Sequence, residues 1–363
     1  MSTARSKGKR IDTGKPSGRR RSAARQRRKK RAALIATISF VGVLAATFLA
    51  LRTWVRPPAG GVGEVDLDNN PHNIVSRTDG RDGIYTILIA AENDGSNTDT
   101  IMVACIDTKK ETVNIMGIPR DTRVETATRT NKKINAAFSA GYNSPADSKE
   151  ERYKNGYNAL RKEVAALIGY EPKHYVGLGL QGFAKLVDMI GGVEFDVPIR
   201  MQQGRGMTLG TRIDLQPGLQ TLDGNKALML VRFRGYGSSF SGYGTEGRSS
   251  DDWGRIKTQQ EFLKAVLKKC KDSFTLSDTL GYIDIASESV TSSMSTGEMV
   301  GLLEKVYEWI GDEGSVGFHT LPTEPSGILS YLRVIEQEAH ELINEKMNPF
   351  DEPINFNGEI AGE

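Results

Sequence analysis

The stretch that decides the fold is Ile84–Asp121, IYTILIAAENDGSNTDTIMVACIDTKKETVNIMGIPRD. Tyr85–Ala91 and Thr100–Ile106 are short apolar runs rich in β-branched residues. Asp107-Thr-Lys-Lys-Glu111 is polar enough to turn, and Thr112–Ile118 alternates before Pro119 stops it. This spacing predicts a hairpin with an adjacent strand. Downstream, Tyr157–Ile168 places Tyr157, Leu160, Val164 and Leu167 on one helical face. His174–Leu180 reads as a strand, Gly182–Ile190 as a helix and Val193–Pro198 as a strand. Leu222–Leu230 reads as a short helix leading to Val231-Arg-Phe-Arg234, whose alternation predicts an extended segment with both arginines on one side. Trp253–Lys271 is an amphipathic helix, Ser295-Thr-Gly-Glu298 a capping box opening another, and Leu332–Lys346 a last helix. Strands alternating with helices and no internal linker imply one α/β domain over residues 84–345, a central mixed β-sheet flanked by helices, with 346–363 as a C-terminal tail.

The sequence before this domain has its own logic. Residues 1–31 hold 14 Lys/Arg against one acid, Asp12, so the remaining residues carry 48 − 14 = 34 bases and 45 − 1 = 44 acids. A basic tail on an acidic body excludes a uniformly basic nucleic-acid binder. Ala32–Leu51 is twenty residues without a charge. As a helix rising ~1.5 Å per residue it matches the ~30 Å hydrocarbon core of a bilayer. The heavier basic flank precedes it, which predicts a single transmembrane helix over 32–52, a cytoplasmic tail over 1–31 and an extracellular domain. Residues 53–83, rich in Pro, Gly, Asp and Asn, read as an extracellular linker. A cleaved signal peptide fits less well, because the apolar run is long and Arg52-Thr-Trp-Val-Arg56 is a poor cleavage site.

Several signals lead nowhere. Cys105 and Cys270 sit far apart in apolar surroundings and read as free thiols, with their pairing left open. The four histidines lack metal-ligand spacing, so zinc is not expected. Gly242-Tyr-Gly-Thr-Glu-Gly247 matches a dinucleotide fingerprint, but no amphipathic helix opens at Gly247, and a flexible flap over Gly235–Ser250 explains it better.

What carries chemistry is arginine and carboxylate at the ends of predicted elements. Arg120 follows a buried strand behind Pro119; Arg232 and Arg234 alternate; Arg255 and Gln259 share a helical face at i, i+4. Three arginine-bearing segments suit a multiply charged anion, because guanidinium forks grip phosphate oxygens in pairs. Glu92, Asp94 and Asp99 gather upstream, which makes sense where a divalent cation bridges acids to phosphate. Read alone, each item is also an ordinary surface ion pair or turn.

Eight segments in order resemble the LytR-CpsA-Psr family of cell-wall enzymes. They are Ile87–Glu92, Asn97–Thr100, Gly117–Asp121, Lys133–Phe138, Leu186–Val193, Leu222–Leu228, Val231–Arg234 and Asp252–Arg255 with Gln259. The resemblance implies a membrane-anchored phosphotransferase that moves a phosphoglycan from a polyprenyl-pyrophosphate carrier to a peptidoglycan hydroxyl, with pyrophosphate cleavage as a side activity. It implies catalytic roles for Asp99, Arg120 and Arg234. Pyrophosphate would be held by Arg120, Lys133, Arg232, Arg234, Arg255 and Gln259, and Mg²⁺ or Mn²⁺ by Glu92 and Asp99. The partners implied are the lipid-linked donor, the peptidoglycan acceptor and membrane lipid; nucleic acid is not among them. Helices Tyr157–Ile168 and Gly182–Ile190 are candidate walls for the prenyl chain, with ordinary core as the plainer reading. The family pattern has Asp where this chain has Glu92, and Arg where it has Asn97 and Thr258, which removes two cations from near the anion. The rival reading is a membrane-anchored regulator whose basic tail binds nucleic acid and whose outer domain senses lipid-linked precursors.

Overall fold

A computed structural model describes residues 58–63, 80–92, 97–124, 129–203, 212–233, 251–273, 290–310, 312, 314–327, 330–354 and 356. All of them lie in one compact unit, Arg56–Glu363. The basic tail, the predicted Ala32–Leu51 span, the Gly235–Ser250 flap with its glycine fingerprint, Asp94 and Arg234 lie outside the described residues. Among the described residues no helix is long and apolar enough to cross a membrane.

The expected hairpin and third strand form β1 (Ile84–Glu92), β2 (Thr98–Asp107) and β3 (Thr112–Gly117), antiparallel in turn. Helices α1 (Asn135–Tyr142) and α2 (Lys149–Ile168) follow, then β4 (His174–Gly179), parallel to β1. With β9 (Val290–Ser292) beside β4 and β10 (Val316–Thr320) parallel to β3, the sheet reads β10-β3-β2-β1-β4-β9. It is a mixed sheet with helices packed on it, as the pattern of elements predicts.

Both faces of this sheet are covered, which is why β1 and β2 read as nearly continuous apolar runs rather than strict alternations. Leu88, Ala90, Ile101 and Val103 face Phe138 of α1 and Tyr157, Leu160 and Val164 of α2. Tyr85, Ile87, Met102, Ala104 and Ile115 face the other way, toward Met294, Trp309 and α6 (Thr296–Val306), which contributes Leu302 and Val306. Burying each such side chain contributes roughly 1.5–3 kcal/mol. A smaller cluster lies to one side. There α3 (Leu180–Met189), the hairpin strands β5 (Val193–Val197) and β8 (Gly218–Leu222), the short pair β6 (Met201–Gln203) and β7 (Ile213–Leu215), and α4 (Gly224–Arg232) pack on Phe262 of α5 (Asp251–Ser273).

Three expectations need correction. Val231 and Arg232 are helical, not extended: Asp223 caps α4 by accepting from Lys226 N, and the helix runs on through Arg232. The Lys-Ala-Leu-Met-Leu run favours helix more than the Val-Arg-Phe-Arg alternation favours strand. Leu332–Lys346 is not one helix. Leu332–Val334 is strand β12 paired with β11 (Thr323–Pro325), α7 covers Glu336–Leu342, and a π-helical turn covers Ile343–Met347. The packing also reaches beyond residues 84–345 on both sides. Val62 bridges to Pro172 and is buried, and Met347, Phe350 and Ile354 join the main core. The Ser295 capping box forms with both of its reciprocal bonds.

Candidate active site

The acids come first, because the sheet register places them. Ala91 faces Thr100 but Glu92 faces Thr98, so Asp99 is an extra residue on β2. Such a bulge bends the strand and re-aims a side chain, and bulges collect next to active sites. Glu92 ends β1 and is buried; in the parallel register it lies opposite Gly179, the last residue of β4. A Cβ on Gly179 would come within 3.2 Å of Glu92 Oε1, so the carboxylate lies over that glycine. On its other side is Tyr157, whose phenol is pushed far up first by burial and then by the charge of Glu92. Helix α3 starts directly after Gly179 and has no side-chain cap. Its first amides and dipole therefore favour negative charge at this same end of the sheet.

The cations come from the loop after β3. Thr122 bonds back to Pro119 O through both N–H and Oγ1, folding Pro119–Thr122 into a turn. Leu332 N donates to Asp121 O on one side and Ile134 N to Thr122 O on the other, which pins the turn. From it Arg120 Nη1 donates to Asp99 Oδ1 at 2.9 Å, and Lys133 Nζ donates to Asp121 Oδ1 at 2.8 Å. Asp121 Oδ2 lies 3.9 Å from Arg120 Nε, so Asp99, Arg120, Asp121 and Lys133 form one alternating chain of charges. None of the four side chains exceeds 27% exposure. Lys133 is further held over the Tyr331 ring, and its carbonyl accepts from Arg129 Nη1 at 2.7 Å.

Arg255 and Gln259 both lie buried in α5, one turn apart. The helix crosses the end of β3 so closely that a Cβ on Gly117 would come within 2.9 Å of Ile256 Cγ2. This fixes Arg255 beside the strand end that leads to Arg120. Gln259 has a structural partner: its Nε2 donates to Val231 O at 3.0 Å, tying α5 to α4, which carries the half-buried Arg232. Arg234 is not described, so the structure joins Asp99, Arg120 and Lys133 through Asp121, ends the neighbouring strand on Glu92, and sets Arg232, Arg255 and Gln259 on α4 and α5. Thr258, where the family pattern has Arg, is buried with its hydroxyl donating to Gly254 O at 2.9 Å. Asn97 is exposed and accepts from Ser139 Oγ at 3.1 Å.

Two further residues stand at this site. Asp121 links the two cations, and its signal was its place directly after Arg120. Thr98 is fully buried, its Oγ1 has no hydrogen-bond partner among the described residues, and nothing in the sequence marks it.

Among the described residues no group of three or more His, Cys, Asp or Glu could hold a metal. Mg²⁺, however, is usually bound by one or two carboxylates plus substrate phosphates rather than by a protein cage. Glu92, Asp99 and the buried Thr98 hydroxyl are hard oxygen donors brought to one strand end at the bulge, and they fit that role.

Fold and charges together define an α/β protein that holds arginine, lysine and carboxylate side chains at one end of a mixed sheet, an arrangement suited to an anionic group. The chain belongs to the LytR_cpsA_psr family, whose model matches residues 64–348. It is 26% identical over 221 residues to the polyisoprenyl-teichoic acid–peptidoglycan teichoic acid transferase TagV of Bacillus subtilis, covering 60% of this chain and 50% of that protein. It is 26% identical over 267 residues to the cell wall biosynthesis protein LcpA of Corynebacterium glutamicum, covering 68% and 48%. It is also 27% identical over 192 residues to the regulatory protein MsrR of Staphylococcus aureus, covering 52% and 50%. The chain thus spans about half the length of these relatives. Its fold is that of the crystal structure of B. subtilis TagV, with a TM-score of 0.57 at 20% identity over 75% of this chain and 98% of that one. The LytR-Csp2A-Psr enzyme from Actinomyces oris gives 0.55 at 20% identity over 80% and 98%.

Proposed function

We propose that this protein is a membrane-anchored phosphotransferase that moves a phosphoglycan from a polyprenyl-pyrophosphate carrier to a peptidoglycan hydroxyl. The observation that supports it most is the Asp99–Arg120 pair, a carboxylate and a guanidinium joined at 2.9 Å on a strand bulge and a pinned turn. Phosphoryl transfer asks little covalent chemistry of a protein and much positioning of charge.

In this reading the acceptor oxygen attacks the glycan-bearing phosphorus and its proton is lost to the surrounding water. The bond from that phosphorus to the bridging oxygen breaks, and polyprenyl phosphate leaves with the electron pair. Arg120, Lys133 and Arg255, with Arg232 and Arg234 from the neighbouring segment, hold the pyrophosphate oxygens. Glu92 and Asp99 would hold Mg²⁺ or Mn²⁺, which supplies neutralisation of phosphate charge. The prenyl chain needs apolar surface. Leu178, Leu180, Phe183 and Leu186, all half-buried at the end of β4 and along α3, offer it. On α2, Tyr157, Leu160, Val164 and Leu167 are fully committed to the core, which leaves α3 as the better wall. Ala32–Leu51 is the anchor that keeps the site near its lipid-borne donor.

The test is transfer by the full chain in lipid vesicles, with a polyprenyl-pyrophosphate-linked glycan and peptidoglycan supplied. Release of polyprenyl phosphate with glycan attached to peptidoglycan, lost in Arg120→Ala, supports the reading. Equal transfer by both proteins removes it. The regulator reading draws on the 14 basic residues of the tail. Deleting residues 2–26 should leave transfer intact if the tail serves only insertion and lipid contact.

A further inference from the structure

The other end of the sheet holds a second feature. From Thr98 at the site to Asp107 the strand β2 advances ~3.4 Å per residue, which sets its two ends roughly 30 Å apart. There, between the β2–β3 turn, β10 and the π-helical turn Ile343–Met347, lies a cavity of about 640 Å³. That is an ordinary size for a small-molecule site.

Its walls are built and held. Asn344 Oδ1 accepts from Ile354 N at 2.7 Å, while Asn348 Oδ1 accepts from Phe350 N at 2.8 Å and its Nδ2 donates to Glu352 O at 2.9 Å. These bonds fix the chain after the π turn as one wall. Arg81 ties the opposite side in, donating through Nη2 to Asn348 O at 3.0 Å. A π turn carries an extra residue in the helical ladder and is found mostly at functional positions. Here it presents Asn344, Glu345 and Lys346 to the cavity.

The charges in the walls sum to zero, with Arg81, Lys110 and Lys346 against Asp107, Glu345 and Asp351. Arg81 Nη1 lies 3.4 Å from Asp107 Oδ2, and Asp107 Oδ1 accepts from the amides of Lys109 and Lys110. Lys346 Nζ lies 2.6 Å from Glu345 Oε1. His319 is turned toward its neutral form by burial and then by Lys346, and its Nε2 meets Asn114 Oδ1 at 2.9 Å. Beside these pairs Thr112, Lys110 and Asp351 also line the cavity, so donors and acceptors of both signs are spaced around it. This is unlike the arginine-rich end of the sheet. It does not suit a multiply charged anion, but it suits a ligand with many hydroxyls and no net charge, each hydroxyl able to donate and accept.

We infer that this cavity binds a neutral, hydroxyl-rich saccharide unit, a stretch of glycan remote from the reacting phosphate. The choice of glycan rests on the proposed function; the existence of the site does not. Such a site would align a polymer along the sheet and add avidity to the phosphate contacts.

The experiment is isothermal titration of the full chain in detergent micelles with two kinds of probe. The first is a panel of neutral oligosaccharides of N-acetylglucosamine, glucose, galactose, mannose and rhamnose; the second is inorganic pyrophosphate with Mg²⁺. Saturable binding of at least one sugar, weakened about tenfold or more by Asn114→Ala or Lys110→Ala and unchanged in Arg120→Ala, is expected. Pyrophosphate should respond in the opposite sense, weakened only by Arg120→Ala. No saturable sugar binding anywhere in the panel overturns the inference, and so does sugar binding that ignores both cavity variants. Loss of pyrophosphate binding in the wild type with sugar binding retained would instead fault the transferase reading and leave the cavity standing.

Discussion

Arg120 Nη1 donates to Asp99 Oδ1 at 2.9 Å, and Asp99 is the one residue that the bulge adds to β2. The two facts belong together. The bulge breaks the two-residue period of the strand at Asp99, and the carboxylate placed there meets the loop after β3. With 18% and 27% of the two side chains exposed, the pair is worth little to stability. In the proposed function its part is to hold the guanidinium of Arg120 in a fixed position beside the pyrophosphate.

Arg120→Ala should therefore separate stability from chemistry. Unfolding free energy should change by less than ~1 kcal/mol, as for other partly exposed ion pairs. Transfer should fall by ~10²–10³, the usual cost of removing one charge-stabilising donor. Arg120→Lys keeps the charge and loses the planar fork, so its rate should lie between the two. Single-turnover transfer and thermal unfolding on the same samples check this.

Beneath the acids, Gly177 and Tyr157 make the opposite prediction. A Cβ on Gly177 would lie 1.9 Å from Tyr157 Cζ, and the ring also stacks on Tyr175 with centroids 5.0 Å apart. Gly177→Ala should destabilise by about 3 kcal/mol, the upper range for overpacking. A second change, Tyr157→Leu, should recover part of that loss. Tyr157→Phe alone should be nearly neutral, because the buried phenol oxygen has no hydrogen-bond partner among the described residues. Denaturant titrations of the four proteins decide it, and a large loss in Tyr157→Phe would show that the phenol holds Glu92.

These two cases also mark what the sequence could reveal. β1, β2 and β3 were legible because burial on both faces concentrates β-branched residues into runs bounded by turn residues. Arg120 was legible because a proline fixes it at a strand end. The bulge was not, since adding Asp99 to the strand leaves composition unchanged and appears only in the pairing of Ala91 with Thr100 and Glu92 with Thr98. Val231–Arg232 misled because four alternating residues at a helix end satisfy either period, and the cap that decides it sits upstream at Asp223. Leu332–Val334 misled because its strand partner, Thr323–Pro325, is too short to register alone. Gln259 was placed on the right helical face, yet its bond to Val231 O depends on where α4 ends.

Asn97 offers a test by gain. It is exposed, lies just before β2 and two residues from Asp99, and its side chain accepts from Ser139. Asn97→Arg would restore a guanidinium that the family pattern carries. Pyrophosphate binding should tighten several-fold at low salt, and the gain should shrink as ionic strength rises past ~0.15 M, where screening sets in within ~8 Å. Thr258→Arg should not behave this way. Thr258 is buried and its hydroxyl is bonded to Gly254 O, so the larger side chain should cost stability before it adds charge. Titrations at two salt concentrations, with melting curves for both variants, distinguish the two positions.

The last prediction concerns pH. Arg129, whose Nη1 holds the Lys133 carbonyl, lies with Nη2 3.2 Å from Glu163 Oε2 inside α2's buried face. Burial pushes the Glu163 carboxyl up to about 7, outweighing the opposing pull of Arg129. An unfolded glutamate titrates near ~4.3, so between that pH and about 7 the folded chain binds a proton that the unfolded chain has released. The contribution to stability is therefore fully present below ~4.3 and is lost as pH rises through the folded value, the reverse of an ordinary salt-bridged acid. Glu163→Gln removes the titration while keeping an acceptor for Arg129. The melting temperature of the wild type minus that of Glu163→Gln should fall across pH 5 to 7 and level off above it. A difference that stays flat across this window and falls only below pH ~4.3 would mean that Arg129 outweighs burial and holds Glu163 charged.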